Sequence, residues 1–104
     1  LENINKIEGI DRKYNLSQNY PNPFNPVTNI QYSIPETSKI RLEVYNLLGQ
    51  KIRTLVNSEK SEGEYNVVWD GKDDGGAAVS SGVYFYQLTS QDEVKYRNKM
   101  LLVK

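Results

Sequence analysis

The sequence predicts an all-β fold, an antiparallel sandwich of about seven short strands. Three observations predict it. Apolar and polar residues alternate with period two in one segment after another. Turn residues separate those segments at intervals of roughly 8–12 positions. Eight of the 104 residues are tyrosine, a residue enriched in strands and on partly exposed, amphipathic surfaces.

The stretch 67–86, VVWDGKDDGGAAVSSGVYFY, organises the rest. It holds the single tryptophan and a dense run of glycine. Tyr65, Val67 and Trp69 fall on one strand face, and Trp69 is the expected centre of the core. Asp70-Gly71 stops that strand, since Asp bonds its own backbone two residues on and Gly accepts a positive φ. Gly82 marks the next turn. Residues 83–89 read as a second strand, with Tyr84, Tyr86 and Leu88 on one face and Val83, Phe85 and Gln87 on the other. Both faces are largely apolar, which predicts a central strand.

The remaining elements follow in order. Residues 1–13 are polar with isolated Ile4, Ile7 and Ile10, and read as a tail or linker. Residues 14–26, YNLSQNYPNPFNP, carry closely spaced prolines, which cannot donate to a ladder and push their predecessors toward extended geometry. This segment is expected to run extended along the surface, with Tyr20 and Phe24 as apolar anchors. Residues 27–34 alternate, with Ile30, Tyr32 and Ile34 on the buried face. Residues 39–45 are the clearest strand: Ile40, Leu42 and Val44 inward, Arg41, Glu43 and Tyr45 outward. A turn at 46–50, with Gly49 at its positive-φ position, leads into a strand at 51–56. Residues 57–63, NSEKSEG, read as a charged loop. After a turn at 90–93, residues 94–103 form the last strand. In it Lys95, Arg97 and Lys99 alternate against Val94, Tyr96, Met100 and Leu102. A cationic outer row is one way to protect a sheet edge from pairing. The pattern as a whole is that of an immunoglobulin-like β-sandwich, without the disulfide of antibody domains.

Composition narrows the chemistry. The formal net charge is zero, so there is no basic excess for nucleic acid and no polybasic block for an anionic membrane. No apolar run approaches the roughly 18 residues of a membrane-spanning helix. The first residues are polar and include acids, unlike a secretory signal peptide, and the chain lacks a starting Met, as a fragment of a longer protein would. There is no Cys and no His. Disulfides, thiolate chemistry, Ser–His–Asp and Cys–His catalysis are therefore impossible within the chain. No phosphate-cradling glycine loop is present. The acidic turn DGKDDGG at 70–76 offers Asp70, Asp73 and Asp74 as hard oxygens for calcium, but its spacing is not that of a calcium-binding hand. The expected role of Asp70 and Asp74 is to bond neighbouring amides in a glycine turn. No cofactor, catalytic residue or metal ligand is assigned.

The residues also resemble a known family. NYPNPFNP at 19–26, followed by Thr28 and Ile30, looks like the opening of the type A C-terminal sorting domains of the type IX secretion system. VYNLLGQ at 44–50, WDGKD at 69–73, SGVYFY at 81–86 and KMLLVK at 99–104 match further elements in the family's order. The middle part also resembles the immunoglobulin-like domain of flagellar hook-capping proteins. The resemblance covers residues 16–104 and leaves 1–15 as a linker from an upstream cargo protein. It implies a non-catalytic domain that reaches the cell surface or medium via the periplasm and directs its linked cargo across the outer membrane. The implied partners are the outer-membrane type IX translocon and a sortase-like surface peptidase, with no nucleic acid and no membrane insertion. The expected recognition residues are Lys95, Arg97, Lys99, Met100, Leu101, Leu102, Val103 and Lys104, with Met100 and Leu102 in the core and the backbone and Lys104 presented. Two other readings stand beside this one: a carbohydrate-binding module using a strip of exposed tyrosines, and a structural immunoglobulin-like spacer.

Overall fold

A computed structural model describes residues 13–104. Its strands are β1 (Asn15–Leu16), β2 (Thr28–Ile34), β3 (Ser38–Tyr45), β4 (Lys51–Lys60), β5 (Gly63–Trp69), β6 (Gly82–Ser90) and β7 (Glu93–Leu102). They form two antiparallel sheets, one of order β1-β2-β5 and one of order β4-β3-β6-β7. The expected immunoglobulin-like sandwich is therefore present, with β6 central as its two apolar faces require. Residues 1–12, where the isolated isoleucines fall, lie outside the described residues.

Period-two alternation builds the core. Ile30, Tyr32 and Ile34 of β2 face Ile40, Leu42 and Val44 of β3 and Tyr84, Tyr86 and Leu88 of β6, all buried. Trp69 is fully buried at the end of β5. Its ring lies 5.6 Å from that of Phe24 and 5.5 Å from that of Tyr84, the latter edge-on. Tilted and edge-on pairs at this separation suit the aromatic quadrupole. The indole nitrogen, the one polar atom of this side chain, donates to the Lys72 carbonyl at 2.9 Å. The turn after β5 thus satisfies the tryptophan it follows.

That turn also covers a sheet edge. Asp70 accepts from the Lys72 amide, as expected, and from the Arg53 guanidinium at 3.0 Å. Asp73 bonds the Gly75 and Ala77 amides. Asp74 departs from its expected local role. Its carboxylate accepts from the Thr54 amide, and its own amide donates to the Ile52 carbonyl. Both partners are in β4, so the loop screens the first half of an edge strand. Gly71, at φ +76°, lets this happen: a Cβ there would sit 3.1 Å from the Pro26 carbonyl oxygen.

Several local expectations are corrected. Residues 57–60 extend β4 instead of looping, because Lys60, Glu59, Ser58 and Asn57 pair with Ser38, Lys39, Ile40 and Arg41. Cross-strand hydrogen bonding to β3 outweighs their polar composition. Glu43 does lie on the outer face but is buried, because Arg41, Lys51 and the Tyr45 hydroxyl close around its carboxylate. Burial and the bond to Glu43 both push the Tyr45 phenol above its usual value. Tyr20 is 78% exposed and anchors nothing apolar, whereas Phe24 is buried as expected.

Two outcomes follow. Trp69→Ala removes the centre of the core and is expected to cost about 3–5 kcal/mol, seen as a lower urea midpoint with the unfolding slope little changed. Partial burial pushes the Asp70 carboxyl up, but the Arg53 and Lys72 bonds outweigh it and hold it below its ordinary value. A depressed carboxylate stabilises the fold above the unfolded Asp value of about 3.9, and that stability is lost as pH falls through the lower folded value. Wild type is therefore expected to exceed Asp70→Asn in thermal stability at pH 6, with the gap closing in acid below about pH 4.

Candidate recognition surface

The two ends of the described chain meet on one edge. β7 is the outer strand of the four-stranded sheet, and the backbone of its residues 99 and 101 points away from β6. The proline-rich segment takes up those groups. Gln18 Nε2 donates to the Lys99 carbonyl at 2.8 Å. Asn22 Oδ1 accepts from the Leu101 amide at 3.0 Å. The Phe24 amide donates to the Leu101 carbonyl at 3.0 Å, and the Phe24 carbonyl accepts from the Val103 amide at 2.9 Å. Phe24 and Leu102 form a parallel bridge. An edge that would otherwise invite pairing with another chain is closed within the molecule.

A buried hydroxyl holds the segment in place. Tyr86, in the middle of β6, donates its phenolic proton to the Ser17 carbonyl at 2.7 Å and accepts from the Asn19 amide at 2.8 Å. Burial pushes this phenol above its usual value, partly offset by the Asn98 and Asn19 donors, so it keeps its proton for Ser17. Asn98 Nδ2 donates to the Leu16 carbonyl at 2.9 Å. Asn19 is itself buried, and its amide donates to the Thr28 hydroxyl and the Pro21 carbonyl. The Tyr20–Pro21, Asn22–Pro23 and Asn25–Pro26 peptide bonds in this segment are cis.

The expected recognition residues therefore divide. Met100 and Leu102 are buried, as expected. Lys99, Leu101, Val103 and Lys104 are exposed, and the Lys104 amide is bonded to the Ser81 hydroxyl. The backbone at 99–103 is largely not presented, contrary to expectation, because residues 18–24 bond the Lys99 and Leu101 carbonyls and the Leu101 and Val103 amides. Arg97 is exposed and its guanidinium holds the Gln87 side-chain oxygen at 3.0 and 3.1 Å. Lys95 stands apart from the rest: it bonds Glu93 at 3.0 Å and lies over the Tyr14 ring at 4.9 Å. The bond to Glu93, partly offset by desolvation, raises its pKa above the ordinary lysine value. Val94 and Tyr96, expected on the inner side, are 50% and 41% exposed. The register shifts between Leu88 and Thr89, leaving Lys95 without a partner in the ladder, so the alternation of 96–102 does not extend back to Val94.

Gln18, Asn19, Asn22 and Tyr86 belong to this surface and carry no assignment from sequence reasoning beyond proline-rich and core roles. The signal available was the density of Asn and Gln among the prolines. Those side chains supply hydrogen-bond groups that prolines lack. Among the described residues no group of three or more His, Cys, Asp or Glu is placed to hold a metal ion. The exposed tyrosines do not form a strip, since Tyr20 lies beside β2 and Tyr96 in β7. Among the described residues no helix is long and apolar enough to cross a membrane.

Seven antiparallel strands in two sheets, with a buried tryptophan between them, define an immunoglobulin-like module. The chain belongs to the FlgD Ig-like domain family, whose model matches residues 26–93. It is similar to part of dimeric latent PorU from Porphyromonas gingivalis, with a TM-score of 0.72 and 15% identity over 86% of this chain and 9% of that one. It is also similar to FlgD from P. aeruginosa, with a TM-score of 0.56 and 19% identity over 72% of this chain and 58% of that one. At these identities the likeness is one of fold, and the chain spans less than two thirds of the length of either protein. No curated protein sequence matches it. The family match ends short of both the residues 18–24 and the residues 99–103 that close the β7 edge.

If Tyr86 holds this segment, Tyr86→Phe leaves the buried Asn19 amide and the Ser17 carbonyl short of a partner. The expected cost is about 1–3 kcal/mol. Amide exchange at Leu101 and Val103 is expected to speed up more than exchange at Leu42 in β3. Equal acceleration at all three sites would argue for a global effect only.

Proposed function

We propose that this domain is a non-catalytic sorting domain of the type IX secretion system, which directs a covalently linked cargo protein across the outer membrane. One observation carries the reading. The opening proline motif and the closing residues 99–103, the two ends of the resemblance, are held together on one edge of the folded domain. A signal read on a folded protein needs its side chains fixed, and here Lys99 and Leu101 project from β7, with Val103 and Lys104 just past its end, along a backbone that residues 18–24 and Ser81 hold by hydrogen bonds. Met100 and Leu102 anchor that strand in the core. The likeness of fold to part of PorU and to FlgD supports the immunoglobulin-like module on which this reading is built.

In this reading the outer-membrane translocon reads the outward side chains of residues 97–104, and a sortase-like surface peptidase separates cargo from domain. Lys95 contributes less, because its ammonium is taken up by Glu93 and Tyr14. The domain itself performs no chemistry and needs no cofactor. Its place of action is the cell surface or the medium, reached through the periplasm.

The test is an export assay in a bacterium with a type IX system. Residues 1–104 are fused behind a periplasmic signal and a fluorescent reporter, and compared with a fusion ending at Asn98. A second variant replaces Lys99, Leu101, Val103 and Lys104 with Ser and keeps Met100 and Leu102, so that the core is spared. Reporter on the surface or in the medium is expected for the full domain, and in the periplasm for both variants. Circular dichroism checks that the second variant is folded. Export of the folded variant at the wild-type level would remove these side chains from recognition, and retention of all three fusions would sink the sorting role.

A further inference from the structure

The two outer faces of the sandwich differ in charge although the chain is neutral. Strand alternation turns the odd-numbered residues of β3, β6 and of β7 beyond its bulge outward, and cross-strand pairing brings Lys51 and Glu59 of β4 onto the same surface. Lys39, Arg41, Lys51, Arg97 and Lys99 stand there against Glu43, Glu59 and, at the end of the face beside Lys39, Asp92, whose carboxylate accepts from the Arg41 guanidinium at 3.0 Å. Glu43 is almost covered, with 10% side-chain exposure, and its carboxylate is shared by Arg41 and Lys51. Arg97 is bonded to a neutral Gln87, and Lys99 makes no ion pair among the described residues. On the three-stranded sheet the outward positions of β2 and β5 are Asn29, Gln31, Ser33, Glu64, Asn66 and Val68, with no cation.

Toward the β3–β4 hairpin end of the cationic face, one register row crosses all four strands: Lys51, Tyr45, Phe85, Lys99. Two half-buried aromatic rings lie between two exposed lysines, whose strands are roughly 14 Å apart at the usual inter-strand spacing. Beside the row is a groove of about 340 Å³ bounded by Tyr45, Leu47, Phe85 and Arg97. Leu47, at the tip of the β3–β4 hairpin, is 67% exposed. The aromatic floor accepts an apolar side chain. Of the cations on either side, Lys51 shares the covered Glu43 with Arg41, whereas Lys99 and Arg97 have no carboxylate partner among the described residues and call for negative charge from outside.

We propose that this face docks an acidic segment of a partner protein, with an apolar side chain in the Tyr45–Phe85 groove and carboxylates toward Lys51, Lys99 and Arg97. The inference rests on the sorting role and extends its recognition surface from the β7 edge onto the sheet. A protein occupant is favoured over an anionic membrane because the cations flank a groove that two aromatic rings line, and the rest of the domain carries no positive excess. Charge on the rim of such a site sets the encounter rate and the salt dependence, and like charge placed opposite it is strongly unfavourable.

The test uses residues outside the β7 edge. Leu47→Glu combined with Lys51→Gln alters the groove and its flank, puts no like charge beside the buried Glu43, and leaves residues 97–104 intact, with circular dichroism checking that the variant is folded. A control places Glu at Gln31 and Asn66 on the other sheet. In the export assay the first variant is expected to lower surface reporter about tenfold or more, corresponding to at least about 1.4 kcal/mol of docking energy, and the control to match wild type. Export of the first variant at the wild-type level, with the variant altered at residues 99–104 retained, would overturn the sheet-face proposal and leave the sorting role standing. Export of both would remove the outward β7 side chains from recognition as well, and only retention of the unaltered domain would sink the sorting role. Sedimentation of the purified domain with phosphatidylglycerol vesicles supplies the remaining arm. No co-sedimentation is expected, and binding that the double substitution abolishes would overturn the protein occupant in favour of a membrane.

Discussion

Phe24 joins the two parts of the chain on which the rest of the structure depends. Its amide and carbonyl pair with Leu101 and Val103, and its ring packs against Trp69. One residue thus ties the proline-rich segment to the last strand and to the core at once. Removing a residue of this kind loses apolar burial and also uncovers backbone groups of an edge strand, which are costly when desolvated and hazardous when exposed.

The same logic appears on the opposite edge. There the acidic turn after β5 reaches over β4, with Asp74 accepting from Thr54 and donating to Ile52, and Asp70 fixed by Arg53. Neither device is a strand. Each is a loop rich in glycine, proline, Asn or Asp, whose side chains and freed amides act where a ladder would otherwise continue. A small sandwich has four strand edges for only seven strands, and covering part of two of them with loops lets the domain stand beside other chains without pairing at random. It also determines what a partner can read. Where the edge backbone is occupied, what stays outward is side chains: the outward row of β7 and the cationic face of the four-stranded sheet.

Most of the strands were legible because period-two alternation is a local property. Ile40, Leu42 and Val44, or Tyr84, Tyr86 and Leu88, declare their face without reference to anything distant, and Gly49 and Gly71 mark their turns for the same reason. The misreadings fell where a neighbour decides. Residues 57–60 look like a loop until β3 pairs with them. Glu43 reads as exposed until Arg41, Lys51 and Tyr45 close over it. Val94 reads as inward until the register shift beside Lys95 is known.

The amino-acid order alone sets the fold class, the central place of Trp69 and of β6, and the division of β7 into buried Met100 and Leu102 and outward Lys99 and Leu101. All of these follow from apolar spacing within a few residues. Only the tertiary structure brings Gln18, Asn22 and Phe24 to residues 99–103, sets Tyr86 as the buried peg beneath Ser17 and Asn19, and gathers Lys51, Tyr45, Phe85 and Lys99 into one row. The bonds that hold the proline-rich segment join residues 67 to 81 positions apart along the chain, and Tyr45 and Phe85 of the row are 40 apart. They depend on strand order and register, which hydrogen-bond pairing between distant segments decides and local pattern does not encode.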